Sequence, residues 1–391
     1  MAIVGTIVVY VIMACLVLGA AASILRPGSE LGKQFTEGIF SVGPIFLSVA
    51  GIFASVPYIS QFINYVFGPL YELAGADASM AATTIIAVDM GGYQLAEALA
   101  HTKENWIMAM LTGFMAGATI VFTVPIGLYM IPKEKENAFA LGIMCGILTV
   151  PIGVLISSVI IALSNPWIRD TISVGGPANY QLMMEYAAIF RNLVPLIIIC
   201  VLIALGLMFI RSIMIKAFKI FGKFIEVGAK IVLVLSIVEY FTGIFSRIFG
   251  GWGFAPIIAE PTNMERALEI SGYIGMMLAG AFPMVYLIKT YLEKPLGKLG
   301  KVLNLSPEAT AGILAASANV LALFPLTKDM KSRDVTKATA FAVCGAFLFG
   351  DHLSFMANFQ PTLIVPLMAG KFIAACVAVA FASLLVRKSE A

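Results

Sequence analysis

"SPEATAGILAASANVLALFPL", residues 306–326, has the length and apolar character of one membrane crossing, yet its flanks argue against a plain passage. Basic clusters at 289–301 and 328–337 stand on either side of it. Lys and Arg in short connections stay on the cytoplasmic side, so a full crossing would strand one cluster outside. A hairpin that enters and leaves on the same side removes the conflict. The stretch permits it: Pro307 opens a first arm, "AASAN" (315–319) offers a break, and Pro325 closes the return. Non-helical backbone at membrane depth is tolerated where protein buries it or where it lines a cavity. The segment is therefore read as a re-entrant hairpin.

The surrounding composition sets the class. Of 391 residues, 60% are hydrophobic and 12% charged, about half the roughly 25% charge of a soluble domain. Apolar runs fall at 3–24, 38–67, 79–99, 105–131, 137–163, 188–210, 231–249, 267–288, 306–326, 335–356 and 361–386. Most approach the ~20 residues needed to cross a bilayer. The expected fold is an all-α polytopic membrane protein whose surroundings are the lipid bilayer. No basic patch interleaved with aromatics points to nucleic acid. The five cysteines lack CxxC spacing, and with two histidines the chain offers no metal set. No GxxxxGK[ST] loop occurs, and no cofactor is called for. "VLGAAAS" (17–23) resembles a signal-peptidase site, but residues 1–9 carry no basic n-region, so 3–24 is read as a retained span. Residues 211–230 alternate Lys with Ile, Phe and Val at helical spacing, the pattern of an amphipathic interfacial helix.

A second hairpin follows from an internal likeness. "GPLYELAGADASMAATTIIAVDMGG" (68–92) resembles "KPLGKLGKVLNLSPEATAGILAASANV" (294–320), each Pro-Leu-x-x-Leu leading into a small-residue helix. Each precedes a glycine-bearing span, with Gly113 and Gly117 in one and Gly345 and Gly350 in the other. If 79–99 also turns back, at "DMGG", the count is nine spans and two hairpins, with eleven full spans as the alternative. Basic connections then fall on one side, and the halves, about 30–163 and 265–388, run in opposite directions. That is an inverted repeat within a single transporter domain, whose binding sites lie at the repeat interface near midplane.

Ionisable groups at membrane depth are costly, by about 2.5–3.5 kcal/mol each on insertion scales, and are functional by default. Those here are Asp89, Glu97, Glu239, Asp351, His352 and Lys371. Asp89, Tyr93 and Glu97 share a face if their helix continues; Gly91 and Gly92 can instead end it and expose carbonyls. Asp351, Phe355 and Asn358 stand at i, i+4 and i+7. Carboxylates give an ammonium ion the charge-assisted hydrogen bonds it loses with its water. Aromatic faces add cation–π attraction, and an amide or hydroxyl orients a ligand hydroxyl. The expected substrate contacts are Asp89, Tyr93, Asn319, Asp351, Phe355 and Asn358, supported by Gly91, Gly92, His352 and Lys371. The chemistry suits a small amino alcohol and equally other small cations. Each carboxylate also has a plain structural reading: a helix cap, or for Asp351 a pair with Lys371. Glu97 is expected to face water and Glu239 to hold a lysine partner.

Five stretches in order, "DMGGYQLAEALA" (89–100), "GATIVFTVPIGL" (117–128), "LGIMCGILTVPIG" (141–153), "EKPLGKLGKVLN" (293–304) and "FGDHLSFMANF" (349–359), resemble the ethanolamine permease family encoded with ethanolamine utilisation genes. The likeness runs from about residue 30 to 386. It implies uptake of ethanolamine across the bacterial inner membrane, feeding a cobalamin-dependent ammonia-lyase, and a chain that is not an enzyme. It carries no residue-level site. The membrane potential alone can concentrate a cation, so uncoupled uniport of the ammonium form is expected. The alternatives are an ion-coupled carrier of another small amine or polar metabolite, and a channel. An intramembrane aspartyl protease is disfavoured, since "LFGD" (348–351) fails the GxGD pattern. A homodimer is expected by analogy with such carriers.

Overall fold

The computed structural model describes residues 2–261, 264–302 and 305–390. Almost everything regular is helical; the described residues hold one two-stranded antiparallel ribbon, Trp167–Ile168 against Tyr180–Gln181. Among the described residues seven helical stretches are long and apolar enough to cross a membrane: Ile3–Leu25, Glu30–Ala54, Lys103–Met130, Lys133–Ser164, Tyr186–Phe209, Ala267–Tyr291 and Pro361–Val386. The chain is an all-α polytopic membrane protein.

Its element order repeats. Short helices Glu30–Phe40, Val42–Ala54 and Val56–Val66 lead to a hairpin, then to Lys103–Met130 and Lys133–Ser164. The long helix Ala267–Val302 leads to a second hairpin, then to Ser332–Gly345, Asp351–Phe359 and Ile364–Glu390. Segment Lys103–Met130 is central, with 94% of its apolar window buried, whereas Ile3–Leu25 is peripheral at 22%. Helices of the two halves meet where Glu136–Ile147 packs on Ser332–Gly345 and Val150–Ser164 on Ile364–Glu390.

The first hairpin is made by Ser79–Ile85, the 3-10 turn Val88–Met90 and Gly92–Leu99. The chain reverses at Gly91, whose φ of 91° is open to glycine without a Cβ clash. Its two ends are clipped together by buried Asp77, whose carboxylate accepts from Ser79 N (2.9 Å), Ser79 Oγ (2.5 Å), His101 N (3.1 Å) and Asn105 Nδ2 (2.9 Å). The second hairpin descends as Pro307–Ala318, capped by Ser306, and breaks at Asn319. It returns through 3-10 turns Val320–Ala322 and Phe324–Lys328. A Cβ on Gly312 would stand 2.8 Å from Leu323 Cδ1, which shows how closely the arms approach.

Three expectations change in the structure. Residues 335–356 are not one helix: the chain breaks between Gly345 and Asp351, with Phe347 at a φ of 58°. The break is held by the second hairpin's tip, where Phe347 N donates to Ala316 O (2.9 Å) and Phe349 N to Ser317 O (2.8 Å). The run 38–67 kinks at Ser41 and Ser55, each of whose hydroxyls bonds back to a helix carbonyl. The basic stretch 211–230 is not a separate helix but the start of Arg211–Thr242, 32 residues long. Neither 231–249 nor 335–356 is therefore among the seven apolar crossings.

Candidate functional site

The breaks converge on one cavity of about 420 Å³. Asp89 reaches it from the first hairpin's turn, Asn319 from the second hairpin's break, and Asp351 from the N-terminus of Asp351–Phe359. Rings of Phe122, Phe282 and Phe347 wall it, and no basic side chain lines it. Among the described residues neither carboxylate forms an ion pair. Asn319 spends its Oδ1 on Leu321 N (2.9 Å), closing the break. The cavity thus sets two carboxylates inside an apolar, aromatic wall. Within such a wall a cation gains charge-assisted hydrogen bonds and ring-face attraction together.

The glycines around the cavity allow the hairpin tips to approach. A Cβ on Gly350 would sit 1.9 Å from Ala318 O, and one on Gly117 would sit 2.4 Å from Ile86 O. Gly117 belongs to Gly113–Thr123, a π-helical stretch whose wide turns free side-chain and carbonyl partners. Gly92 sits against Ala87 O with no room for a side chain. Glycine-bearing spans follow both hairpins, and in both the glycine is where the tip docks.

The remaining candidates lie elsewhere. Tyr93 is fully buried, stacked on Trp106 at 4.8 Å, and its hydroxyl accepts from Gln360 Nε2 (2.9 Å). Phe355 packs against Tyr93, Phe114 and Phe359. Asn358 Nδ2 donates to Tyr273 O (2.9 Å). None of the three lines the cavity. His352 is buried between Phe114 and Phe347, with neither ring nitrogen hydrogen-bonded. Lys371 makes no pair with Asp351; its Nζ donates to Phe114 O (3.0 Å). Glu97 is half-buried and 3.9 Å from Lys103. Glu239 has no lysine partner and instead accepts from Phe245 N (2.8 Å), capping Ile244–Phe249.

Two groups of residues escaped the sequence reading. Asp77, in "ADAS" (76–79), carried a signal, since Asp-x-Ser ahead of a helix is a capping pattern. Arg169 carried none. From the loop 165–185 its guanidinium donates to Gly176 O (2.8 Å), Ser173 O (3.1 Å), Phe359 O (3.2 Å) and Asn358 O. Gln360 completes the latch, donating to Arg169 O (2.8 Å) and accepting from Arg169 N (3.1 Å). A cation at the carboxyl end of Asp351–Phe359 also suits that helix's dipole.

A neighbouring cleft of about 310 Å³ shares Ser48, Met90, Phe122 and Ile126 with the cavity and runs to Lys223, Glu226 and Lys230. At the other end of Asp351–Phe359, Tyr93, Trp106, Phe355 and Phe359 form a ring-packed layer beneath the Arg169 latch.

Fold and cavity together define an all-α polytopic membrane protein with an internal cavity lined by two carboxylates. Residues 4–385 match the family described as "Ethanolamine utilisation protein, EutH", and the chain belongs to that family. It is 37% identical to the "Probable ethanolamine permease EutH" of Listeria monocytogenes, over 99% of this chain and 97% of that relative. It is 36% identical to the Escherichia coli protein of the same name, over 92% of this chain and 86% of that one. A Bacillus subtilis relative, "Uncharacterized protein YxeR", is 35% identical over 96% of this chain and 93% of its own length. No solved structure matches the chain.

Proposed function

We propose that this protein takes up ethanolamine across the bacterial inner membrane, binding its ammonium form in the cavity lined by Asp89 and Asp351. One observation carries the reading. Two carboxylates far apart in sequence face one cavity, and among the described residues neither forms an ion pair. Relatives named as ethanolamine permeases support the substrate. The carboxylates hold the ammonium, Phe122 and Phe347 present ring faces, and Asn319 meets the hydroxyl.

Transport is facilitated uniport of the cation. A potential of 100 mV is worth about 2.3 kcal/mol per charge, enough to concentrate substrate without a coupling ion. Both hairpins are re-entrant and the halves form an inverted repeat. The cleft running to Lys223 and Lys230 supports reading this form as open to the cytoplasm, since basic residues mark that side. The ring-packed layer and the Arg169 latch close the outer side. The carrier works as a homodimer.

Uptake of labelled ethanolamine into proteoliposomes tests the reading. Saturable uptake driven by an inside-negative potential, with counterflow and competition by small amines, is expected. Non-saturating flux would make it a channel. Concentrative uptake at zero potential, driven by a sodium or proton gradient, would make it a coupled carrier.

A further inference from the structure

Lys371 does not line the cavity, yet its side chain is completely shielded from solvent. Burying an ammonium is costly unless something answers its charge. Among the described residues its one hydrogen bond is to Phe114 O, at 3.0 Å, within the π-helical stretch Gly113–Thr123. A neutral carbonyl answers only part of a full charge. The same stretch packs on the turn that carries Asp89: a Cβ on Gly113 would stand 2.7 Å from Val88 Cγ2. The Phe114 ring packs on His352 at 4.8 Å, and His352 follows Asp351 in the chain. Lys371 is thus linked through Phe114 and His352 to Phe347, which packs on His352 at 5.1 Å and lines the cavity.

The charges of this region can be counted. With all three groups ionised, two carboxylates line the cavity and one ammonium stands behind it. Bound ligand carrying a single positive charge makes the set neutral; a dication overshoots. A region shielded from water favours the neutral total, because uncompensated charge there is poorly solvated.

Resting on the cavity being the ethanolamine site, we propose that Lys371 sets the charge of the cargo: its buried ammonium offsets one cavity carboxylate, so the site takes a monoammonium ion and rejects small diammonium ions. Position 371 is then a specificity residue that touches no substrate.

Two ligands of equal length separate the charge from the shape: 3-amino-1-propanol and 1,3-diaminopropane. Each is competed against labelled ethanolamine on the purified full chain at neutral pH. Wild type should bind the amino alcohol at least as well as the diamine. Lys371→Gln keeps an N–H for Phe114 O but removes the charge, and should shift the ranking toward the diamine by roughly tenfold or more, as a charge-assisted contact warrants. Lys371→Arg should keep the wild-type ranking, which a role in packing alone would not require. Adding Asp89→Asn to Lys371→Gln should restore preference for the single charge. A wild type that already prefers the diamine overturns the proposal without any variant. So does a Lys371→Gln protein that unfolds cooperatively, binds ethanolamine and ranks the two ligands as wild type does. Failure of wild type to bind ethanolamine at all would instead overturn the cavity reading on which the proposal rests.

Discussion

Gly350→Ala adds one carbon at the point where the second hairpin meets the broken helix. The new Cβ would lie 1.9 Å from Ala318 O and 3.0 Å from Ala318 C, and both are backbone atoms that no rotamer change can move. Either the hairpin tip or residues 346–350 must shift. Overpacking of this kind costs about 1–3 kcal/mol. The shift also pulls on two cross-element hydrogen bonds, Phe347 N to Ala316 O and Phe349 N to Ser317 O. Each is worth about 0.5–1.5 kcal/mol net, so the total loss is roughly 2–6 kcal/mol. Asp351 is the next residue, so ethanolamine affinity should fall with stability. Gly228→Ala and Gly272→Ala are the controls, because a Cβ there meets nothing within 4 Å. They lie in helices Arg211–Thr242 and Ala267–Val302 and should be neutral or stabilise by about 0.5–1 kcal/mol. Thermal unfolding in detergent with and without ethanolamine reads both effects. If Gly350→Ala matches the controls in Tm and in ligand-induced shift, the docking of hairpin on break is wrong.

Three further outcomes follow from named contacts. Asp77→Ala removes the acceptor that joins the two ends of the first hairpin and should cost roughly 3 kcal/mol or more; Asp77→Asn should recover part of that, and equal Tm values for the two variants would contradict the clip. Arg169→Ala should raise hydrogen exchange across residues 165–185 and 358–360 while leaving the second hairpin unchanged, and unaltered exchange in the loop would dismiss the latch. In a background lacking the native cysteines, Ser306→Cys and Lys328→Cys should react with an impermeant thiol reagent from the same side of the membrane; labelling from opposite sides would replace the re-entrant hairpin with a full crossing.

How far the sequence carries can be read from individual residues. Asp89, Asn319 and Asp351 were visible because a polar group at membrane depth is conspicuous, and all three line the cavity. Tyr93, Phe355 and Asn358 were grouped with them by helical spacing, which reports a shared face but not a shared depth. Asp351 begins its helix, so at 1.5 Å per residue Phe355 and Asn358 lie about 6 Å and about 10 Å further along the axis. They end in the ring-packed layer instead of the cavity. Tyr93 parts from Asp89 because the chain reverses at Gly91. The cavity's own rings, Phe122, Phe282 and Phe347, were hidden among 27 phenylalanines, with nothing in their local sequence to set them apart. The breaks within 79–99 and 306–326 were legible from the paired glycines of one and from Asn319 and Pro325 of the other. The break before Asp351 was not, because its cause is the tip of another element, more than twenty-five residues earlier in the chain, supplying the hydrogen bonds that the helix gives up.

The central claim is that the two cavity carboxylates hold the substrate's ammonium. Equilibrium binding of labelled ethanolamine to Asp351→Asn, Asp89→Asn and the double variant tests it most directly, since each change keeps the side chain's shape and removes its charge. Losing a hydrogen bond to a charged group removes ~1.5–3 kcal/mol. The account predicts that each single variant loses roughly ten- to a hundredfold in affinity while still unfolding cooperatively. Unchanged affinity in a well-folded Asp351→Asn protein would contradict it.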